Sequence, residues 1–281
     1  MKILMISRKA KQCGVADYGL RLFNILKPHF DIELSEVNNE VDYLQAVAIS
    51  RPDIVLYNYH YATLGFVTDG VIDRSIKHYA IFHEAAMQFT PDKIIDTSIR
   101  PLFNCDNVTP SNNFTVGSFG FGFPDKNFPR IAEIVKAQYK SATIKLNIPF
   151  AEYGDRDGYL ARREADKVRA ILKGSSIEVE INHDYLSQSD LLDFLAANTI
   201  NLFLYRQSHG RGLSSAIDYA LSVKRPIGVS DSEMFRHLPE TIRVENNTID
   251  NIIRDFADTL CPIYEAHSNG KLIERYKEFL K

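Results

Sequence analysis

The sequence predicts an α/β protein with two doubly wound parallel sheets facing each other across a cleft. Three observations lead there. Short apolar runs of strand length alternate with longer amphipathic stretches along nearly the whole chain. Several of these runs end in loops bearing glycine, histidine or arginine, as ligand-binding loops of parallel sheets do. The length of 281 residues is too great for one ordinary core and suits two.

Composition narrows the class further. Hydrophobic residues make up 45% and charged residues 25%, enough for a core in each half. The formal net charge of -3 argues against nonspecific nucleic-acid binding. Cys13, Cys105 and Cys261 are odd in number, far apart and without CxxC spacing. No disulfide partner and no metal site are therefore expected, and reduced thiols in the cytoplasm are the simplest reading. MKILMIS is too short an apolar run for a signal peptide or a membrane span, and no other segment approaches one.

In the first half, 3–6 reads as a buried strand and leads into the loop SRKAKQCGVADYG. A helix with Leu22, Phe23, Ile25 and Leu26 on one face follows and stops before Pro28. Only Gly14 stands where a dinucleotide fingerprint would need three glycines, so NAD is not indicated. A strand at 31–37, a helix at 41–50 and a strand at 53–57 come next, the last running into the loop NYHYATLG with His60. After a helical or irregular segment near 66–74, HYAIF at 78–82 forms a strand with His83 and Glu84 at its carboxyl end. Taken singly, each histidine is more readily structural than catalytic. Parallel strands bring the loops after Ile6, Tyr57 and Phe82 to one edge, where Gly14, His60 and His83 can converge.

The Asn-, Pro-, Ser- and Thr-rich run at 100–115 marks a boundary between domains 1–113 and 114–281, with a short strand expected around Val108. The second half repeats the alternation: strands at 116–120, 143–148 and 177–181, helices at 127–139, 156–173 and 189–197. SFGFGFPDK at 118–126 is a Gly-rich turn whose Lys126 precedes a helix. The most informative stretch is NLFLYRQSHGRGLSSAIDYALSVKRPIGVSDSEMFRHL at 201–238. It predicts a strand at 201–205, a loop at 206–212, a helix at 213–223, a strand at 227–229 and a helix start at Asp231. Arg206, His209 and Arg211, two glycines, then Ser214 and Ser215 in the first helical turn make an anion site in sequence form. A serine-capped helix after a turn has the same residues. From Thr248 to Lys281 one or two long helices interrupted near Pro262 are expected to pack across the surface, and the last can pack back on the first domain.

QCGVADYG, the strand-end pair His83 and Glu84, SFGFGFPDK, and RGLSSAIDYALSVKRPIGVSDSEMFRHL occur in that order and span nearly the whole chain. In this they resemble the GT-B glycosyltransferases, and more narrowly the large retaining group called group 1 or family 4. The resemblance implies a cytoplasmic enzyme moving a sugar from a nucleoside-diphosphate sugar to an acceptor hydroxyl, independent of metal and retaining. It implies no cofactor beyond the co-substrate, for which a UDP-sugar is the expected donor. Lys126, Arg206, Arg211, Gly212, Leu213, Ser214 and Ser215 would surround the diphosphate, with Gly14 in the approaching loop. His83 would lie by the donor sugar, and His60 and Glu84 on the acceptor side. Many members carry Glu-x7-Glu, whose second Glu binds the ribose; counting back from Pro226 places Arg211 and Tyr219 there. Asp218, one place away, is the candidate for the ribose, and Asp17 is either a base for an inverting reaction or a helix cap. The acceptor stays open among glycan, small molecule and modified nucleic acid. A noncatalytic nucleotide-sugar-binding subunit or sensor is the rival reading.

Overall fold

Strands buried on both faces need apolar residues at successive positions, and Ile3, Leu4, Met5 and Ile6 meet that need. In the computed structural model, which describes residues 1–83, 86–103, 105 and 113–281, they lie in β1 (Ile3–Arg8). The chain divides into two compact units. Unit 1 comprises Met1–Leu102, Gly210–Ser215 and Glu265–Lys281; unit 2 comprises Phe103–His209 and Ala216–Tyr264.

Unit 1 holds β1, β2 (Ile32–Val37), β3 (Ile54–Tyr59), β4 (Lys77–Phe82) and β5 (Lys93–Asp96), all parallel, in the order β2-β1-β3-β4-β5. Its helices are α1 (Gly14–Leu26), α2 (Glu40–Ser50) and the single turn α3 (Tyr61–Leu64). The period of two along the strands sorts the core into two layers. Ile3, Met5, Ile54, Leu56, Tyr79 and Ile81 pack with Tyr18 and Leu22 of α1. Leu4, Ile6, Val55, Tyr57 and Ala80 pack with Tyr43 of α2 on the other face. A directed hydrogen-bond chain lines that second layer. The Asp73 carbonyl can only accept, so His78 Nε2 donates to it at 2.8 Å, Tyr57 OH donates to His78 Nδ1 at 2.8 Å, and Tyr43 OH donates to Tyr57 OH at 2.8 Å.

Unit 2 holds β6 (Thr115–Phe119), β7 (Ser141–Asn147), β8 (Ser176–Asn182), β9 (Ile200–Phe203) and β10 (Ile227–Val229), parallel and in the order β10-β9-β6-β7-β8. Its helices α4 (Phe128–Gln138) and α5 (Tyr159–Leu172) contact each other, as do α6 (Gln188–Ala196) and α7 (Ala216–Ser222). Counted within the unit, this is the 3-2-1-4-5 order of nucleotide-binding sheets, with its switch point between β6 and β9. Three helices close the chain: α8 (Ile249–Arg254), α9 (Phe256–Ala266) and α10 (Asn269–Phe279).

Several sequence expectations need correction. β5 was not foreseen, because four residues with Asp at the end carry too little period to stand out. The strand expected at Val108 lies outside the described residues. α5 starts at Tyr159 instead of 156, since Asp155 accepts from the amides of Leu160 and Ala161 at 2.8 and 2.9 Å and Gly158 turns the chain at φ 69°. The helix expected from Asp231 is one 3-10 turn, Glu233–Phe235, capped by Ser232. The closing segment breaks at Asp255 and again before Ser268, which caps α10, while Pro262 sits inside α9.

α10 belongs to unit 1, where Leu272, Tyr276 and Leu280 complete the α1 layer. Arg275 donates to Asp96 at 2.7 Å and to Ser98 at 3.1 Å, and Lys93 Nζ donates to the Phe279 carbonyl at 3.0 Å. The polar clasp is largely exposed and worth little alone; the apolar face carries the attachment. Leu272→Ala should therefore lower stability by about 2–5 kcal/mol in denaturant titration, whereas Arg275→Ala should cost under about 1 kcal/mol.

Candidate active site

The carboxyl edge of the unit 1 sheet is tied together by one amide. Asn58 is wholly buried at 0% exposure on β3. Its Nδ2 donates to the Val15 carbonyl at 2.7 Å and to Ser7 Oγ at 2.9 Å, and its Oδ1 faces His83 Nε2 at 2.7 Å. β1, the first turn of α1 and the residue after β4 thus meet on one side chain. Gly19 is required beside it, since a Cβ there would stand 2.4 Å from Asn58 Nδ2. His83 is 8% exposed, and the Tyr18 ring stands edge-on to it with centroids 4.8 Å apart. Arg100 lies over the other ring of that pair, 4.7 Å from the Tyr18 centroid. Burial first, then the Arg100 and His60 charges, hold the His83 imidazole well below its ordinary range, so it is neutral.

The segment 210–215 is part of the same unit. A Cβ on Gly212 would stand 2.0 Å from the His83 carbonyl oxygen, and one on Gly14 would stand 2.3 Å from Ser215 Oγ. Gly212 passes a backbone carbonyl too closely for any side chain, whereas Gly14 makes room for the Ser215 side chain. This seating also explains a second correction. The helix expected from Leu213 begins at Ala216, leaving Ser214 and Ser215 in the loop ahead of it, with Ser214 buried. Gly14, taken for a loop residue, is the first residue of α1. Cys13 is the N-cap without a side-chain bond, and Asp17 sits in the first turn, its amide donating to the Cys13 carbonyl at 3.0 Å.

Of the predicted residues, unit 1 brings together Gly14, His83, Gly212 and Ser215, with Arg211, Leu213 and Ser214 in the same segment. His60 caps α3, its Nδ1 accepting from the Ala62 amide at 3.1 Å, and stacks on Tyr61. Glu84 lies outside the described residues. Cys13 and Cys105 are free thiols, and among the described residues no helix is long and apolar enough to cross a membrane.

Unit 2 places its own candidates at the switch point. The Arg206 amide donates to the Asp125 carbonyl at 2.8 Å, which joins the loop after β9 to the turn after β6. Lys126 Nζ lies 3.9 Å from the Tyr205 ring centroid, a cation–π contact. His209 pairs with Glu233 at 2.8 Å. Asp218 is 0% exposed, and its neighbour Tyr219 packs on Phe103 and Phe119, with centroids 4.4 and 5.6 Å away.

Sequence reasoning passed over Asn58 and Tyr205. The signal for Asn58 was there: a single amide in an otherwise apolar and aromatic strand, IVLYNY, implies a buried partner.

No family model matches this chain, and no curated protein matches it. Solved structures do. Anabaena Alr3699/HepE in complex with UDP superposes with a TM-score of 0.67 at 14% identity, covering 100% of this chain and 99% of that one. Sucrose-phosphate synthase (tll1590) from Thermosynechococcus elongatus gives 0.63 at 11% identity, covering 99% and 94%. An α-glucosyltransferase in complex with UDP and a 13-mer DNA containing a HMU base gives 0.55 at 13%, covering 99% and 93%. These likenesses establish the fold: the chain has the GT-B architecture of two Rossmann-like domains.

Gly212→Ala should unseat the loop, because backbone on the other side cannot yield. Gly14→Ala meets a movable hydroxyl and should be restored in thermal unfolding by Ser215→Gly, which Gly212→Ala should not be. The lowered His83 pKa also has a sign. The unfolded chain takes up a proton near pH 6.5 that the folded chain refuses, so stability present above that pH falls as the pH drops below it. The slope is at most about 1.4 kcal/mol per pH unit for one group, and His83→Gln should remove that part of it.

Proposed function

We propose that the chain is a glycosyltransferase that moves a sugar from a UDP-sugar to an acceptor hydroxyl, with retention and without a bound metal ion. The observation that carries this reading is the seat of the 210–215 segment against Gly14 and the His83 carbonyl. It brings residue Arg211, the loop amides and the first turn of α1 into one compact unit. As the bond between the sugar carbon and the diphosphate breaks, negative charge grows on the leaving oxygen. Fixed amide dipoles and a guanidinium neutralise it at no cost in reorganisation. Lys126 and Arg206, at the switch point of the unit 2 sheet, are the further donor-side cations that the resemblance implies. His83, neutral, serves the sugar, and His60 and Glu84 the acceptor. The UDP bound in the solved counterparts supports uridine as the base.

One observation favours a second reading. Tyr219 stands where the resembled enzymes carry their ribose-binding Glu and is packed on Phe103 and Phe119, while Asp218 beside it is buried. The missing acidic pair motivates the rival, a noncatalytic nucleotide-sugar-binding subunit or sensor that holds the ribose by other groups. For the acceptor, the DNA held by the α-glucosyltransferase counterpart makes a hydroxylated base an alternative to a glycan or small molecule, against the net charge of -3.

Thermal unfolding against UDP, GDP, ADP, CMP, dTDP and their sugar conjugates, with and without EDTA, tests the reading. A ligand at about a hundredfold over its Kd adds roughly 2.7 kcal/mol, and each kcal/mol raises Tm by about 2–4 °C at this size. UDP and a UDP-sugar should give the shift, EDTA should not alter it, and Arg211→Ala should weaken binding by roughly 1.5–3 kcal/mol. An unchanged affinity in that variant places the diphosphate elsewhere. Release of free sugar from the donor by wild type separates the enzyme from the binding subunit.

A further inference from the structure

We propose that Asn58 is a positioning residue that fixes His83 in its Nε2–H tautomer, so that Nδ1 presents a lone pair to a hydroxyl of the transferred sugar. The inference rests on the glycosyl-transfer reading of the site for its ligand, and on hydrogen-bond geometry alone for the tautomer.

The amide of Asn58 has one permitted orientation. The Val15 carbonyl, 2.7 Å away, has no proton to give, so the group facing it is the NH2. A flipped amide would set two acceptors against each other at that distance. The second amide proton goes to Ser7 Oγ, and Oδ1 is left for His83. An oxygen acceptor 2.7 Å from Nε2 requires the ring proton there. The neutral ring carries one proton, and it is spent. Nδ1 is then an acceptor, and among the described residues it makes no hydrogen bond within the protein.

The groups around the ring hold it in that state. Tyr18 covers it edge-on, and Arg100 and His60 both disfavour a second proton. An imidazolium would donate from both nitrogens and attract phosphate. The neutral, oriented ring repels no hydroxyl and holds no anion, so the anionic part of the donor is left to Arg211 in the neighbouring segment. His83 thereby discriminates the uncharged, hydroxyl-bearing part of the donor from the diphosphate. Nothing in the sequence around His83 marks this, because the residue responsible is 25 positions away.

The test uses the full chain labelled with 15N-histidine. Long-range 1H–15N correlation reads which ring nitrogen carries the proton, and His83→Gln assigns the signal. In wild type, His83 should show Nε2 protonated and Nδ1 bare, unchanged while exposed histidines titrate. Asn58→Leu should populate both tautomers, and Asn58→Asp, which puts a carboxylate at the same distance, should produce the doubly protonated ring. Calorimetry with UDP and UDP-glucose gives the ligand arm. The ratio of the UDP-glucose affinity to the UDP affinity is read for each protein, so that any change shared at the diphosphate cancels, and in both variants that ratio should fall by roughly 2- to 12-fold for one hydrogen bond. A proton on Nδ1 in wild type overturns the proposal without any variant, as does an unmoved tautomer in Asn58→Leu. A glucose increment that survives a changed tautomer overturns the assignment to the sugar. Failure of wild type to bind UDP would instead overturn the glycosyl-transfer reading and the sugar hydroxyl with it, leaving the tautomer to be judged by the nitrogen signals.

Discussion

Asn58 has two amide protons and one carbonyl oxygen, and all three are committed. A wholly buried amide tolerates no less, since each unmatched group would cost about 1–3 kcal/mol. The partners lie on β1, α1 and the end of β4, so the amide sets how those elements meet at the sheet's carboxyl edge. Other features follow from that knot. Gly19 must be bare for the amide to fit, Tyr18 is brought edge-on to the histidine, and the His83 carbonyl is held where only a glycine passes over it. Parallel pairing delivers strand ends to one side of a sheet; the amide decides what stands there.

Much of the fold was legible because parallel sheets write themselves plainly. Runs such as ILMI, IVLY and HYAIF carry apolar residues on both faces, and burial of β1, β3 and β4 follows them closely. The parts that misled were those where a distant contact outweighs local preference. LSSAIDYAL has good helical character from its first residue, yet Leu213–Ser215 are held in a loop by their fit against Gly14 and His83. Local sequence has no means of reporting a neighbour about 130 to 200 positions away. The edge strand β5 failed for the opposite reason, being too brief to set up a period.

The candidate site was legible by type more than by role. Gly14, His83 and Gly212 could be named because glycine and histidine at strand ends have few other uses, but the sequence described the glycines as approaching a ligand. In the folded chain they approach protein first: Gly212 a carbonyl, Gly14 a serine hydroxyl. Lys126 likewise stood out as a lone cation after a Gly-rich turn, whereas the aromatic ring beneath it, Tyr205, looked like one more residue of a buried strand. Identities of 12–14% to counterparts solved with UDP are consistent with this picture. The backbone path is shared at such identities, and Arg211 and Tyr219 stand where the acidic pair of the resembled family would fall.

Unit 1 is assembled from three stretches of chain, 1–102, 210–215 and 265–281. During synthesis its five strands leave the ribosome before unit 2, and the residues that finish its α1 layer, Leu272, Tyr276 and Leu280, leave after it. For most of the time that unit 2 is being made, the face of the earlier sheet that α10 will cover is open to water, and with it an apolar surface prone to wrong partners. The second unit, nearly continuous from 103 to 264, is complete before the first can be. Completion therefore runs against the order of translation: of the two units, the one begun earlier is the one that must wait.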